Sequence, residues 1–157
     1  MSEKFEIREK VDYGYVINLQ ISRIAEARSN LFIKHNSSPM ENVRVYMDHV
    51  EALYAILLPE LRDDAGKFLE LANKVFFMMK DLEDIDDKNK KREIWNQISK
   101  LLDEYGVRNE LKNIMKGRVF LHSVVAFIID EALSRIIERL NTAGLLLRGR
   151  VIKVGKV

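Results

Sequence analysis

The chain has no cysteine, only two prolines and only seven glycines. Without cysteine there is no disulfide, no thiolate metal site and no cysteine nucleophile. With so few helix breakers, and with Leu, Ile, Glu, Lys, Arg and Ala abundant, helix is favoured over sheet. The glycines, at positions 14, 66, 106, 117, 144, 149 and 155, are isolated, so no glycine-rich phosphate loop and no Gly-x-Ser-x-Gly turn is present. Glutamine occurs only at Gln20 and Gln97, against 26 Lys and Arg. That balance suits a thermophilic source, although ten asparagines pull the other way. Long apolar runs are missing too. The longest, Val119 to Ile129, is too short to span a bilayer and is closed by Asp130 and Glu131. The opening residues, Met1 to Glu6, carry charge rather than a signal-peptide apolar core, so the expectation is a cytoplasmic protein.

What is present is 157 residues, 47% apolar and 32% charged, with a net charge of +2. That is the balance of one globular domain with a real core, spanning residues 1–157. The first segment, Glu3 to Val11, places Phe5, Ile7 and Val11 on odd positions, the period of a short strand or of a helix entry. A first helix is expected from near Asp12 to about His35, with Ile17, Ile21, Ile24 and Leu31 on one face. Arg28 shares that face, and the simplest reading is a packed stem with its head in solvent. Ser38-Pro39-Met40-Glu41 is a capping box opening a second helix, which carries Val43, Met47, Val50, Tyr54 and Leu57 inward. Pro59 kinks or stops it.

A third helix is expected from Asp63-Asp64-Ala65-Gly66. Its segment Phe76, Phe77, Met78 and Met79 is apolar all round, which suits a core position or an oligomer interface. Five acids and four bases then fill Asp81 to Arg92, where Asp86 or Asp87 can cap a fourth helix that ends at Gly106. From Val107 to Asn141 runs the central stretch that holds the apolar run Val119 to Ile129, and its last part is one-sided. There Leu133, Ile136, Ile137 and Leu140 are expected inside, and Asp130, Glu131, Ser134, Arg135, Glu138 and Arg139 outside. Residues 145–157 form a basic C-terminal tail with Arg148, Arg150, Lys153 and Lys156 and no acidic side chain. The fold expected is an all-α antiparallel bundle of four to five helices. A short terminal β-ribbon (residues 4–8 and 150–155) is a minor addition.

The titratable residues form no familiar metal or cofactor pattern. His35, His49 and His122 lack the Glu-x-x-His spacing of di-iron bundles and the His-x-x-x-His spacing of zinc helices. Counted from Asp84, a calcium loop would need Gly and Glu where Asn89 and Trp95 stand. No metal and no cofactor is therefore expected. His122 lies inside the apolar centre with Arg118 one turn earlier, the setting of a hydrogen-bonded core histidine or of a polar pocket in the bundle.

Arg44-Val45-Tyr46-Met47-Asp48-His49 resembles the Arg-x(4–6)-His signature of HEPN-type ribonucleases, which are small all-helical domains. The resemblance implies metal-independent RNA cleavage, with His49 near the 2′-hydroxyl and Arg44 near the phosphate. It covers six residues.

With no wider catalytic motif, the leading expectation is a non-enzymatic helical interaction protein. It forms a homodimer or higher homo-oligomer through Phe76 to Met79, as a small subunit of a nucleoprotein, viral or plasmid assembly. Weak nucleic-acid contact is expected from Arg148, Arg150, Lys153 and Lys156. The ribonuclease reading through Arg44 and His49 is the alternative.

Overall fold

The structure is a computed structural model that describes residues 3–32, 39–83, 85–107 and 121–146. Helix α1 spans Glu3–Ser29 and tightens into a 3-10 turn at Asn30–Phe32. Helix α2 spans Pro39–Ile56, and α3 is a single turn, Pro59–Arg62. Helix α4 spans Ala65–Glu83, α5 Lys88–Glu104 and α6 Leu121–Thr142. No strand occurs among the described residues.

Side-chain contacts give the helix directions. Tyr13 meets Ile56 and Gln20 meets His49, so α1 and α2 run antiparallel. Asn73 meets Glu51, and Gly66 lies against Tyr54, which sets α4 antiparallel to α2. Asp63, just before α4, faces Arg139, and Phe68 within α4 lies under the Arg135 guanidinium, so α6 is antiparallel to α4. Arg28 with Asp130 and Asn18 with Leu145 set α6 antiparallel to α1. The result is an antiparallel four-helix bundle of α1, α2, α4 and α6, with α5 laid against α4. The expected fold class holds.

Local chemistry sets the boundaries. Pro59 opens α3 at a position that needs no amide donor. The preceding Leu58 amide donates to the Tyr13 hydroxyl at 2.9 Å, and that hydroxyl donates to the Ile56 carbonyl at 3.0 Å. One side chain of α1 thus closes the end of α2. The Asp87 carboxylate accepts the Asn89 amide at 2.9 Å, the cap expected for α5. An Ala there is expected to cost about 1 kcal/mol, measured by chemical denaturation. Gly106, at φ 75, ends α5 in the left-handed region.

Residues 4–8 are helical, which corrects the strand expected for them. Ile7 and Val11 are four apart as well as odd-numbered, so the same residues fit a helical stripe that α1 extends backward from Asp12. The ribbon's other half, residues 150–155, lies outside the described residues. The core runs through all four bundle helices, with Ile17, Ile24, Tyr46, Leu53, Leu71, Met79, Ile128 and Leu133 among its most buried side chains. Phe76 and Met79 belong to it, Met78 is half-buried and Phe77 alone of that run is exposed.

Candidate functional site

Three polar side chains meet inside the bundle, one from each of α1, α2 and α6. Arg28 lies four residues after Ile24, on the inward stripe of α1. Tyr46 lies three after Val43 on α2, and Asp130 lies three before Leu133 on α6. Helical spacing therefore carries each of them inward with its apolar neighbours.

The Arg28 guanidinium grips the carboxylate with both arms. Nε donates to Asp130 Oδ1 and Nη2 to Oδ2, each at 3.0 Å. The Tyr46 hydroxyl donates a short hydrogen bond to the same Oδ1. Tyr46 is fully buried and Asp130 is 3% exposed. Asp130 thus corrects the expectation of an outward residue, and the Arg28 head points to Asp130 rather than into open water. Glu131 and Arg135 are half-buried, while Ser134, Glu138 and Arg139 are exposed as expected.

The electrostatics suit a fixed network. Hydrogen bonding to Asp130 holds Arg28 more firmly protonated. Burial, then the Asp130 charge, pushes the Tyr46 phenol well above its ordinary range. Its proton stays on Tyr46 at every physiological pH. A buried, fully bonded carboxylate beside a phenol that keeps its proton is suited to holding helices in register, not to proton transfer.

A second polar tie secures the end of α6. Asn18, 3% exposed, donates to the Gly14 carbonyl at 2.6 Å and to the Leu145 carbonyl at 2.7 Å. Leu145 joins the core, so the chain is anchored past Thr142. Asn18→Ala leaves the Leu145 carbonyl without that donor. The expected loss is about 1–3 kcal/mol, with faster amide exchange at the end of α6.

Outside the core, a shallow cleft of about 570 Å³ opens where α2 faces the start of α4. Its walls include Glu51, Tyr54, Asp63, Lys67, Glu70 and Asn73. Its carboxylates are already matched. Glu51 accepts from Asn73, Glu70 lies 3.2 Å from Lys74, and Asp63 lies 3.8 Å from Arg139. Gly66 lets the Tyr54 ring approach this wall, and the Arg62 guanidinium stacks on that ring at 4.9 Å. A Cβ at Gly66 would sit 2.9 Å from Tyr54 Cζ and nearer still to its hydroxyl. Gly66→Ala is expected to cost about 1–3 kcal/mol by thermal denaturation, and less in a Tyr54→Ala background.

The residues of the ribonuclease resemblance are not brought together. Arg44 is 60% exposed and lies 3.9 Å from Asp48. His49 is half-buried on the flank facing α1, and its carbonyl accepts from Gln20 at 2.9 Å. Five helical residues turn them about 140° apart on one helix. His35, Arg118 and the tail residues Arg148, Arg150, Lys153 and Lys156 lie outside the described residues, as does the side chain of His122. Among the described residues no cluster of three His, Asp or Glu is placed to hold a metal, and no helix is long and apolar enough to cross a membrane.

The chain matches no protein-family model, and no curated protein or solved structure matches it either.

Proposed function

We propose that this protein is a non-enzymatic helical module that works by self-association, with its basic tail making weak contact with nucleic acid. One observation carries the reading. Among the described residues, the buried polar side chains Asn18, Gln20, Tyr46 and Asp130 each hydrogen-bond to another segment of the chain, while Tyr15, Val16, Leu19, Val45, Ile56, Leu58 and Phe77 remain 39% to 68% exposed. A bundle that spends its polar residues on rigidity and leaves apolar ones outside is built to be covered. The two-armed Arg28–Asp130 pair fixes how α1 and α6 align, which keeps the outer faces in a constant shape.

The tail, residues 145–157 in sequence, now divides. Leu145 and Leu146 pack on the bundle, and the four bases of the proposed contact, Arg148, Arg150, Lys153 and Lys156, all follow them in the sequence. Four bases without an acid would give a salt-sensitive, sequence-independent contact.

The test is the solution mass of the full chain by light scattering, read with its 260/280 nm absorbance ratio. A mass of twice 18.3 kDa or more is the expected result, and a monomer at micromolar concentration overturns the reading. Truncation after Leu146 is expected to abolish binding to a mixed-sequence oligonucleotide at low salt and to leave the mass class unchanged. Unchanged binding removes the role of the tail.

A further inference from the structure

We infer that two copies of this chain meet through the outer face of the α1–α2 pair. The inference rests on the self-association reading above and names its surface. The seam between the two helices is fixed by the bonds from Tyr13 to Ile56 and from Gln20 to His49. Val16 lies three residues after Tyr13 and four before Gln20, so it borders the seam on the α1 side. On α2 the positions Val45, His49, Ala52 and Ile56 follow at spacings of four, three and four, one stripe along the same seam. Leu19 lies beside Val16 on α1, and Leu58 follows Ile56 where Tyr13 closes the helix end.

These positions hold most of the exposed apolar side chains. Val16 is 48% exposed, Leu19 43%, Val45 43%, Ile56 39% and Leu58 49%. Tyr15, four residues before Leu19, widens the face. Among the large exposed apolar residues described, Phe77 alone lies on another helix.

Size and charge identify the occupant. The 18 residues of α2 make a face about 27 Å long, and two adjacent helices give it a width of about 20 Å. Side-chain relief raises that footprint of about 540 Å² toward the roughly 800 Å² that each partner contributes to a stable interface. The charges around it are of both signs, with Arg23 and Arg44 against Asp12, Glu41 and Asp48. A nucleic acid would meet the carboxylates. A second copy related by a two-fold axis brings the same mixture of both signs and no net excess of either to repel it, which suits an isologous interface.

The experiment is light scattering on the full chain and on Val16→Glu and Val45→Glu, two independent changes at exposed positions, each checked for retained helicity by circular dichroism. The expected result is a dimeric wild type and a shift of each variant to 18.3 kDa, through at least about a hundredfold weaker self-association. Phe77→Glu is expected to stay dimeric. If both variants remain dimeric while Phe77→Glu becomes monomeric, this face is wrong and self-association stands. A monomeric wild type overturns both.

Discussion

Asp130→Ala is expected to lower the unfolding free energy by about 3–5 kcal/mol, the loss typical when one partner of a buried ion pair is removed. At roughly 2–4 °C per kcal/mol for a chain of this size, the melting temperature falls by about 6–20 °C. The size follows from what is left behind. Arg28 keeps its charge with no carboxylate to receive Nε and Nη2, and the fully buried Tyr46 hydroxyl loses its acceptor. An exposed pair such as Arg44–Asp48 makes the control, because surface pairs contribute about 0–1 kcal/mol. Asp48→Ala is expected to change stability by no more than that. Replacing all three buried groups at once, as Arg28→Met, Tyr46→Phe and Asp130→Leu, leaves no orphaned polar atom and is expected to cost far less than Asp130→Ala alone. A loss under about 1 kcal/mol for Asp130→Ala would show that the network does not hold the bundle.

The second large effect appears in alkali. An unfolded tyrosine gives up its proton near pH 10. Burial and the Asp130 charge keep the proton on folded Tyr46 to higher pH. Above about pH 10 the unfolded chain therefore binds fewer protons than the folded one, and stability falls as pH rises. The contribution is complete below that point and is lost at about 1.4 kcal/mol per pH unit above it. Other tyrosines and lysines titrate in the same range, so the quantity to measure is the difference between wild type and Tyr46→Phe. Urea unfolding at pH 8 to 11.5 is expected to show Tyr46→Phe less stable at pH 8, by about 1.5–3 kcal/mol for a hydrogen bond to a charged group. The gap should close above pH 10. A gap constant across the range would mean that Tyr46 titrates like an exposed phenol.

Much of the bundle was legible in the sequence because helical stripes and caps are local signals. Pro39, Asp87 and Gly106 mark boundaries that the structure keeps, since each acts through its own backbone or its next few neighbours. Residues 4–8 were ambiguous because Phe5, Ile7 and Val11 fit a period of two, while Ile7 and Val11 also fit a helical spacing of four. The buried network was only half legible. Spacing alone puts Arg28 on the inward face of α1, whereas the charge of Asp130 argues for an outward position even though it lies four residues after Ala126 and three before Leu133. A base on one buried stripe and an acid on another is the signal that a pair exists. Which stripes meet depends on bundle topology, which no single helix encodes. The Phe76 to Met79 run, apolar all round, does not show by itself which of its residues are buried within the chain. The surface that α4 buries is set by how fully α6 and α5 cover it, so only Phe77 stays in solvent. The outer stripe of α2 is faint in the sequence because Val45, Ala52 and Ile56 are modest apolar residues among charges.

Self-association is the central claim, and thermal unfolding over a hundredfold range of protein concentration tests it most directly. When a folded dimer gives unfolded monomers, mass action stabilises the fold by about 1.4 kcal/mol per protomer across that range. The melting temperature is then expected to rise by roughly 3–5 °C with concentration. A melting temperature that does not move would contradict the claim and leave a bundle that folds alone.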